Sequence, residues 1–114
     1  MVLHRNEMKR DDKERLREGV GIARMIHLME PNTEKNARMF AEITLDPGHS
    51  IGYHQHDSET EYYLILSGKG TVNDNGKDIE VQAGDAMATG NGASHSITNT
   101  GTAPLVFHAI VVTY

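Results

Sequence analysis

Residues 48–61 read GHSIGYHQHDSETE, and they hold three of the chain's seven histidines together with two glutamates. An apolar run, YYLIL at 62–66, follows at once. On an extended chain side chains alternate between faces, so His54 and His56 point one way while Tyr53 and Gln55 point the other. Two imidazoles on one face are the beginning of a site for a divalent cation. The same letters also suit a polar surface loop, and the stretch by itself leaves both readings open. Residues 57–60 are turn-prone and reverse the chain, after which Glu61 opens the next strand within reach of the histidine face. Asp57 and Glu59 compete for the carboxylate role from weaker, turn positions. A third nitrogen has to come from elsewhere, and His95, in GNGASHSITN at 90–99, is the best placed.

Working outward, the pattern from Val20 onward is β. Short segments rich in β-branched and aromatic residues are each closed by Gly, Asn, Asp or Pro. The spacing predicts strands near 21–29, 37–45, 51–56, 61–67, 70–73, 77–82, 86–89, 94–99 and 105–113. In ARMFAEITL, Ala37, Met39, Ala41, Ile43 and Leu45 fall on one face. Asn75-Gly76 lies between two short strands and predicts a hairpin, because both residues tolerate positive φ. PLVFHAIVV at 104–112 is almost continuously apolar and predicts a strand buried on both faces. Many short strands with no helical period between them point to an antiparallel sandwich or barrel. Residues 7–18, EMKRDDKERLRE, have one large aliphatic residue, Leu16, and read equally as a short helix with i,i+4 charge pairs or as a solvated irregular arm. The expected organisation is a charged arm over 1–19 and one domain over 20–114.

The totals narrow the chemistry. At 114 residues the chain is one domain by size. Cysteine is absent, so any metal is held by nitrogen and oxygen alone. Net charge is −5, with six basic and five acidic residues in 1–20 and five basic and eleven acidic in 21–114. A body this acidic repels a phosphate backbone, and the basic residues of the arm have no aromatic neighbours to stack on bases, which argues against nucleic acid. No apolar run approaches the roughly 18 residues that span a bilayer, and the polar start lacks the apolar core of a secretory signal. The expectation is a cytoplasmic protein with no membrane partner.

With these residues in place the sequence resembles the cupin superfamily, small single-barrel members related to oxalate decarboxylases and dioxygenases. The first cupin motif, G-x5-H-x-H-x3,4-E-x6-G, is met by Gly48, His54, His56, Glu61 and Gly68. The second, G-x5-P-x-G-x2-H-x3-N, is met by Gly84, Gly92, His95 and Asn99, with Gly90 where the family has proline. The departure at Gly90 leaves the turn possible and predicts a looser 90–94 loop. The resemblance implies an all-β, antiparallel double-stranded β-helix, a jelly-roll barrel. It implies that His54, His56, Glu61 and His95 bind one divalent metal, with Mn or Fe favoured and Zn or Ni compatible with the donor set. It makes Gly48, Gly68 and Gly84 turn residues and Asn99 a backbone brace. Single-barrel relatives usually pair, so a homodimer is expected.

Four ligands on an octahedral ion leave about two positions open, which suits a small, bidentate, anionic ligand. The expected function is a metal-dependent enzyme acting on a small organic acid or dicarbonyl by oxygenation or decarboxylation. A non-catalytic binding or sensing module and an isomerase are the alternatives, and a closed, purely structural metal is a further one. Tyr63 and Ile65 share the face of Glu61, which makes Tyr63 the cavity candidate for a ligand contact; no general acid or base declares itself. His27 and His108 read as hydrogen-bonded strand residues, and His4 and His49 as solvent-facing.

Overall fold

The computed structural model describes all residues, 1–114. Ten strands follow in order: β1 Lys9–Glu14, β2 Ile22–His27, β3 Ala37–Leu45, β4 Ser50–Gln55, β5 Glu59–Ser67, β6 Lys69–Asp74, β7 Lys77–Gln82, β8 Ala86–Gly90, β9 Ser94–Thr98 and β10 Leu105–Thr113. They form a six-stranded sheet, β1-β2-β3-β10-β5-β8, and a four-stranded sheet, β4-β9-β6-β7, antiparallel throughout. Alternation puts one face of each sheet inside. Ala41, Ile43 and Leu45 of β3, Tyr63 and Ile65 of β5, and Phe107 and Ala109 of β10 meet Ile51, Val72 and Ile97 of the smaller sheet in one core. Each fully buried large apolar side chain there contributes roughly 1.5–3 kcal/mol. This is the antiparallel two-sheet arrangement expected from the strand pattern and the jelly roll that the resemblance implies, and nine of its strands lie where the sequence places them. Asp74 pairs with Lys77 across Asn75-Gly76, whose φ values are 51° and 101°, as the hairpin requires. No helix is long and apolar enough to cross a membrane.

Three expectations need correction. Residues 9–14 are neither helix nor irregular arm: β1 pairs along its length with β2, from Lys9↔His27 to Glu14↔Ile22. A backbone ladder forms without an apolar face because β1 is an edge strand whose inward residues border a polar cavity. Second, β10 is buried on one face only. Leu105, Phe107, Ala109 and Val111 are fully enclosed, whereas Val106, His108, Ile110 and Val112 are half-buried on the outer side. Third, Gly90 belongs to a strand and not to the loop that follows it. It ends β8 opposite Thr60, where a Cβ would stand 2.1 Å from Thr60 Oγ1 and 2.7 Å from the Glu59 carbonyl oxygen, so the position admits only glycine without a shift of the neighbouring strand.

The remaining motif residues do what the resemblance implies. Gly48, Gly68 and Gly84 have φ of 81°, 87° and 93°. Asn99, 1% exposed, donates to the carbonyls of Leu45 (2.8 Å) and Ala103 (2.9 Å) and accepts from the Gly101 amide (2.9 Å). It ties the end of β9 to β3 and to the start of β10.

Candidate metal centre

The two sheets contribute unequal parts to one site. β4 carries His54, and the residue just past its end, His56, keeps the same inward face because Tyr53 and Gln55 point to solvent. His54 is paired with His95 of β9 in the ladder, and Glu61 enters from β5 of the opposite sheet. His56, Glu61 and His95 are buried at 2%, 5% and 0% exposure. The Nε2 atoms of His56 and His95 are 3.0 Å apart, and those of His95 and His54 are 3.2 Å apart. Glu61 Oε1 lies 3.0 Å from His56 Nε2 and 3.1 Å from His95 Nε2. The four ligand atoms all fall within 4.8 Å of one another.

Tautomers follow from the outer nitrogens. His54 Nδ1 is 2.6 Å from the Gly52 carbonyl and His56 Nδ1 is 2.5 Å from Glu59 Oε2, so each donates its proton outward and turns an Nε2 lone pair inward. Electron pairs and a carboxylate therefore face each other in a dry interior, an arrangement that a shared cation or proton must relieve. Burial, with the charges of His95 and His56 beside it, lowers the pKa of His54 to about 4 despite the Gly52 carbonyl. Without a cation, a proton on the Nε2 of His56 or His95 takes its place beside Glu61; burial pushes the carboxyl up, but these hydrogen bonds outweigh it and hold it at about 2. Hydrogen bonding to Glu61, opposed by burial and helped by Glu59, raises His56.

The spacing is informative about coordination. With bonds of about 2.1 Å, neighbouring octahedral ligands stand about 3.0 Å apart and tetrahedral ones about 3.4 Å. The four contacts of 3.0–3.2 Å are close to the spacing of neighbouring octahedral ligands, and the remaining pairs lie within 4.8 Å.

Behind the cluster, Glu59 stands outside the four-residue group and contacts one of its members, His56. Its carboxylate accepts from Arg38 Nε (3.1 Å) and from the terminal nitrogen NH2 (2.9 Å), as well as from His56 Nδ1. Asp57 is exposed and joins no such contact. Tyr63, 2% exposed, stacks on His95 with ring centroids 5.0 Å apart and tilts against Phe107 at 4.6 Å. Burial, and Glu61 beside it, push its hydroxyl well above the usual phenol range, so it stays protonated as a donor. Tyr63 and Ile65 do face inward with Glu61; Tyr63 borders the cavity and Ile65 belongs to the core. The buried His95 Nδ1 and Thr89 Oγ1 have no partner.

The cavity over the cluster has a volume of about 290 Å³, at the lower end of small-molecule sites. His54, His56, Glu61 and Tyr63 form part of its wall, and Lys9, Asp11, Lys13, Arg17 and Arg38 another. Four of these last five residues come from the segment read as an arm or from the turn after it. Sequence reasoning passed over them because nothing in a charged run marks which side faces a site; the signal present was Leu16, which packs against the core and draws Arg17 with it. His27 also borders the cavity. It is 7% exposed, with Nε2 3.3 Å from Asp11 Oδ2 and no partner at Nδ1. His108 points outward to Glu42 (3.1 Å), which Arg5 also holds at 2.6 Å. His4 is exposed, but His49 is half-buried rather than solvent-facing: its Nδ1 accepts from the Ile22 amide at 3.0 Å.

Comparison with known proteins agrees with this geometry. The cupin domain model matches residues 41–112, most of both sheets and all four candidate ligands. The chain belongs to the cupin family. It is 42% identical over 113 residues to an oxalate-binding protein of Thermotoga maritima, covering 98% of this cupin and 93% of that protein. The crystal structure of a predicted oxalate decarboxylase from Thermotoga maritima superimposes with a TM-score of 0.94 at 41% identity, and coverage is 100% of both chains. The cupin domain of Cnp3 from Schizosaccharomyces pombe, at 13% identity, shares the fold with a TM-score of 0.75 over 91% of this chain and 69% of that one.

Proposed function

We propose that His54, His56, Glu61 and His95 hold one divalent metal ion, Mn or Fe in preference to Zn or Ni, and that the cavity takes a small dicarboxylate or dicarbonyl on it. The observation that carries this is the convergence of three Nε2 atoms and one carboxylate oxygen, with contacts of 3.0–3.2 Å and with the Nδ1 protons of His54 and His56 turned outward. Bound there, the ion would supply Lewis acidity and, if Mn or Fe, redox chemistry. Tyr63 offers a neutral hydroxyl to an anion at the cluster. The likeness to an oxalate-binding protein supports oxalate as the first ligand to try. Calorimetry of Mn-loaded protein with oxalate should show saturable binding that vanishes in the chelated protein and in His95→Ala. Equal heats with and without metal refute the reading.

Turnover of that ligand by decarboxylation or oxygenation is favoured over passive binding by one feature, the Asp11–His27 pair in the cavity wall. A carboxylate-oriented imidazole is the kind of group that moves a proton in such reactions. Release of formate and CO2, or consumption of O2, by Mn-loaded protein with oxalate supports the enzymatic reading. Binding without product makes the protein a carrier or sensor.

We infer a homodimer through the outer face of the larger sheet. Tyr62, Leu64 and Leu66 are 47%, 46% and 40% exposed there, beside the half-buried Val106, Ile110 and Val112 of β10. This outer face, apolar except for the His108–Glu42–Arg5 group, is best covered by a second copy. Light scattering at micromolar concentration should give twice the chain mass, and Leu64→Arg should halve it; a wild-type monomer refutes the pairing.

A further inference from the structure

The acidic balance of the chain is reversed at its cavity. In a protein of net charge −5, the wall carries four cationic side chains, Lys9, Lys13, Arg17 and Arg38, against the carboxylates Asp11 and Glu61. Two of the cations are already engaged: Lys13 sits 3.3 Å from Asp11, and Arg38 is held by Glu59 at 2.9 Å. Lys9 and Arg17 take part in no ion pair. Both border the cavity that His54, His56 and Glu61 also line.

Arg17 is the better built of the two. It lies in a turn where Arg15, Arg17 and Glu18 all have positive φ, 52°, 55° and 65°, a conformation that residues with a Cβ seldom hold. Packing holds the turn against β4. A Cβ on Gly52 would stand 1.9 Å from the Arg17 carbonyl oxygen, so the backbone of the turn rests directly on the strand, two residues before His54. Leu16 packs the turn against the core, and Arg17 lines the same cavity as His54, His56, Glu61 and Tyr63. A guanidinium delivered by a held backbone into this cavity matches a carboxylate by its planar fork better than an ammonium does.

We propose that Arg17 is the residue that selects dianionic over monoanionic ligands, by pairing with the carboxylate oxygens of a metal-bound dicarboxylate that face away from the ion. The proposal rests on the reading of the cavity as a site for a small metal-bound acid, and adds which acids it prefers and through which residue. Lys9, on the edge strand, adds attraction without direction.

The test pairs oxalate with oxamate, the isostere in which one carboxylate is an amide, on Mn-loaded protein. Calorimetry should show oxalate binding wild type more tightly than oxamate. Arg17→Gln should weaken oxalate about tenfold, the scale of one partly exposed charged hydrogen bond, and leave oxamate within twofold. Arg17→Lys should fall between, since charge remains and the fork is lost. Arg10→Gln, the same change of charge on the opposite face of β1, should behave as wild type. Metal content and melting temperature of each variant report folding, and Arg17→Lys stands in should Arg17→Gln fail to fold. An unchanged oxalate preference in Arg17→Gln overturns the role of Arg17 while the metal-acid reading stands. A wild type that takes up Mn but neither anion overturns both.

Discussion

Replacing Glu59 separates a residue that supports a ligand from one that is a ligand. Glu59 accepts from Arg38 at 3.1 and 2.9 Å and from His56 Nδ1 at 2.5 Å, with its side chain 15% exposed. These bonds fix the His56 tautomer and aim its Nε2 at the cluster. Loss of such an orienting partner typically weakens metal binding about 10- to 100-fold, or roughly 1.4–2.7 kcal/mol. Glu59→Gln keeps one acceptor oxygen and should fall near tenfold. Glu59→Ala frees both His56 and Arg38 and should fall near a hundredfold, whereas Glu61→Ala removes a donor atom and should cost more than either. Titration of the metal-free protein with Mn against a competing chelator, followed by metal-bound fraction, gives the three constants. Two results would refute the reasoning: Glu59→Ala binding Mn within twofold of wild type, or Glu59→Ala and Glu61→Ala losing affinity equally.

Chelation should lower the melting temperature without unfolding the protein, because the core is independent of the cluster; Mn at a hundred times its dissociation constant adds about 2.7 kcal/mol, or roughly 10–20 °C for a chain this size, readable by thermal denaturation with and without EDTA. In metal-free protein the depressed Glu61 carboxyl, about 2 against an ordinary 4.5, stabilises the fold above pH 4.5, and that contribution is lost as pH falls from 4.5 towards 2. The melting temperatures of chelated wild type and Glu61→Gln should therefore converge across that window, and parallel curves would contradict the assignment. Asn99→Ala should destabilise by about 3 kcal/mol in urea unfolding, since it strands the Leu45 and Ala103 carbonyls and the Gly101 amide at a buried site.

Much of this was legible in the letters. Nine strands follow from alternation and turn chemistry, because every strand with one face in the core must repeat its apolar residues with a period of two. The spacing of His54 and His56 puts both on one face wherever the chain is extended, and the motif glycines mark turns that side chains resist. What alternation does not encode is what a polar side chain meets. β1 has no apolar period, since its inward residues, Lys9, Asp11 and Lys13, face a cavity instead of the core. Glu61 is distinguished from Glu59 by its strand position and motif spacing, but only the fold shows Glu59 behind His56 and bonded to Arg38. The outer face of β10 looks like core in sequence because a run of apolar letters does not say which side is covered; Val106, Ile110 and Val112 are only half-buried. Composition and period, being local, determined the strands and the histidine face; the meeting of β1, β4, β5 and β9 around one cavity is a contact between distant segments, and only the tertiary structure could decide it.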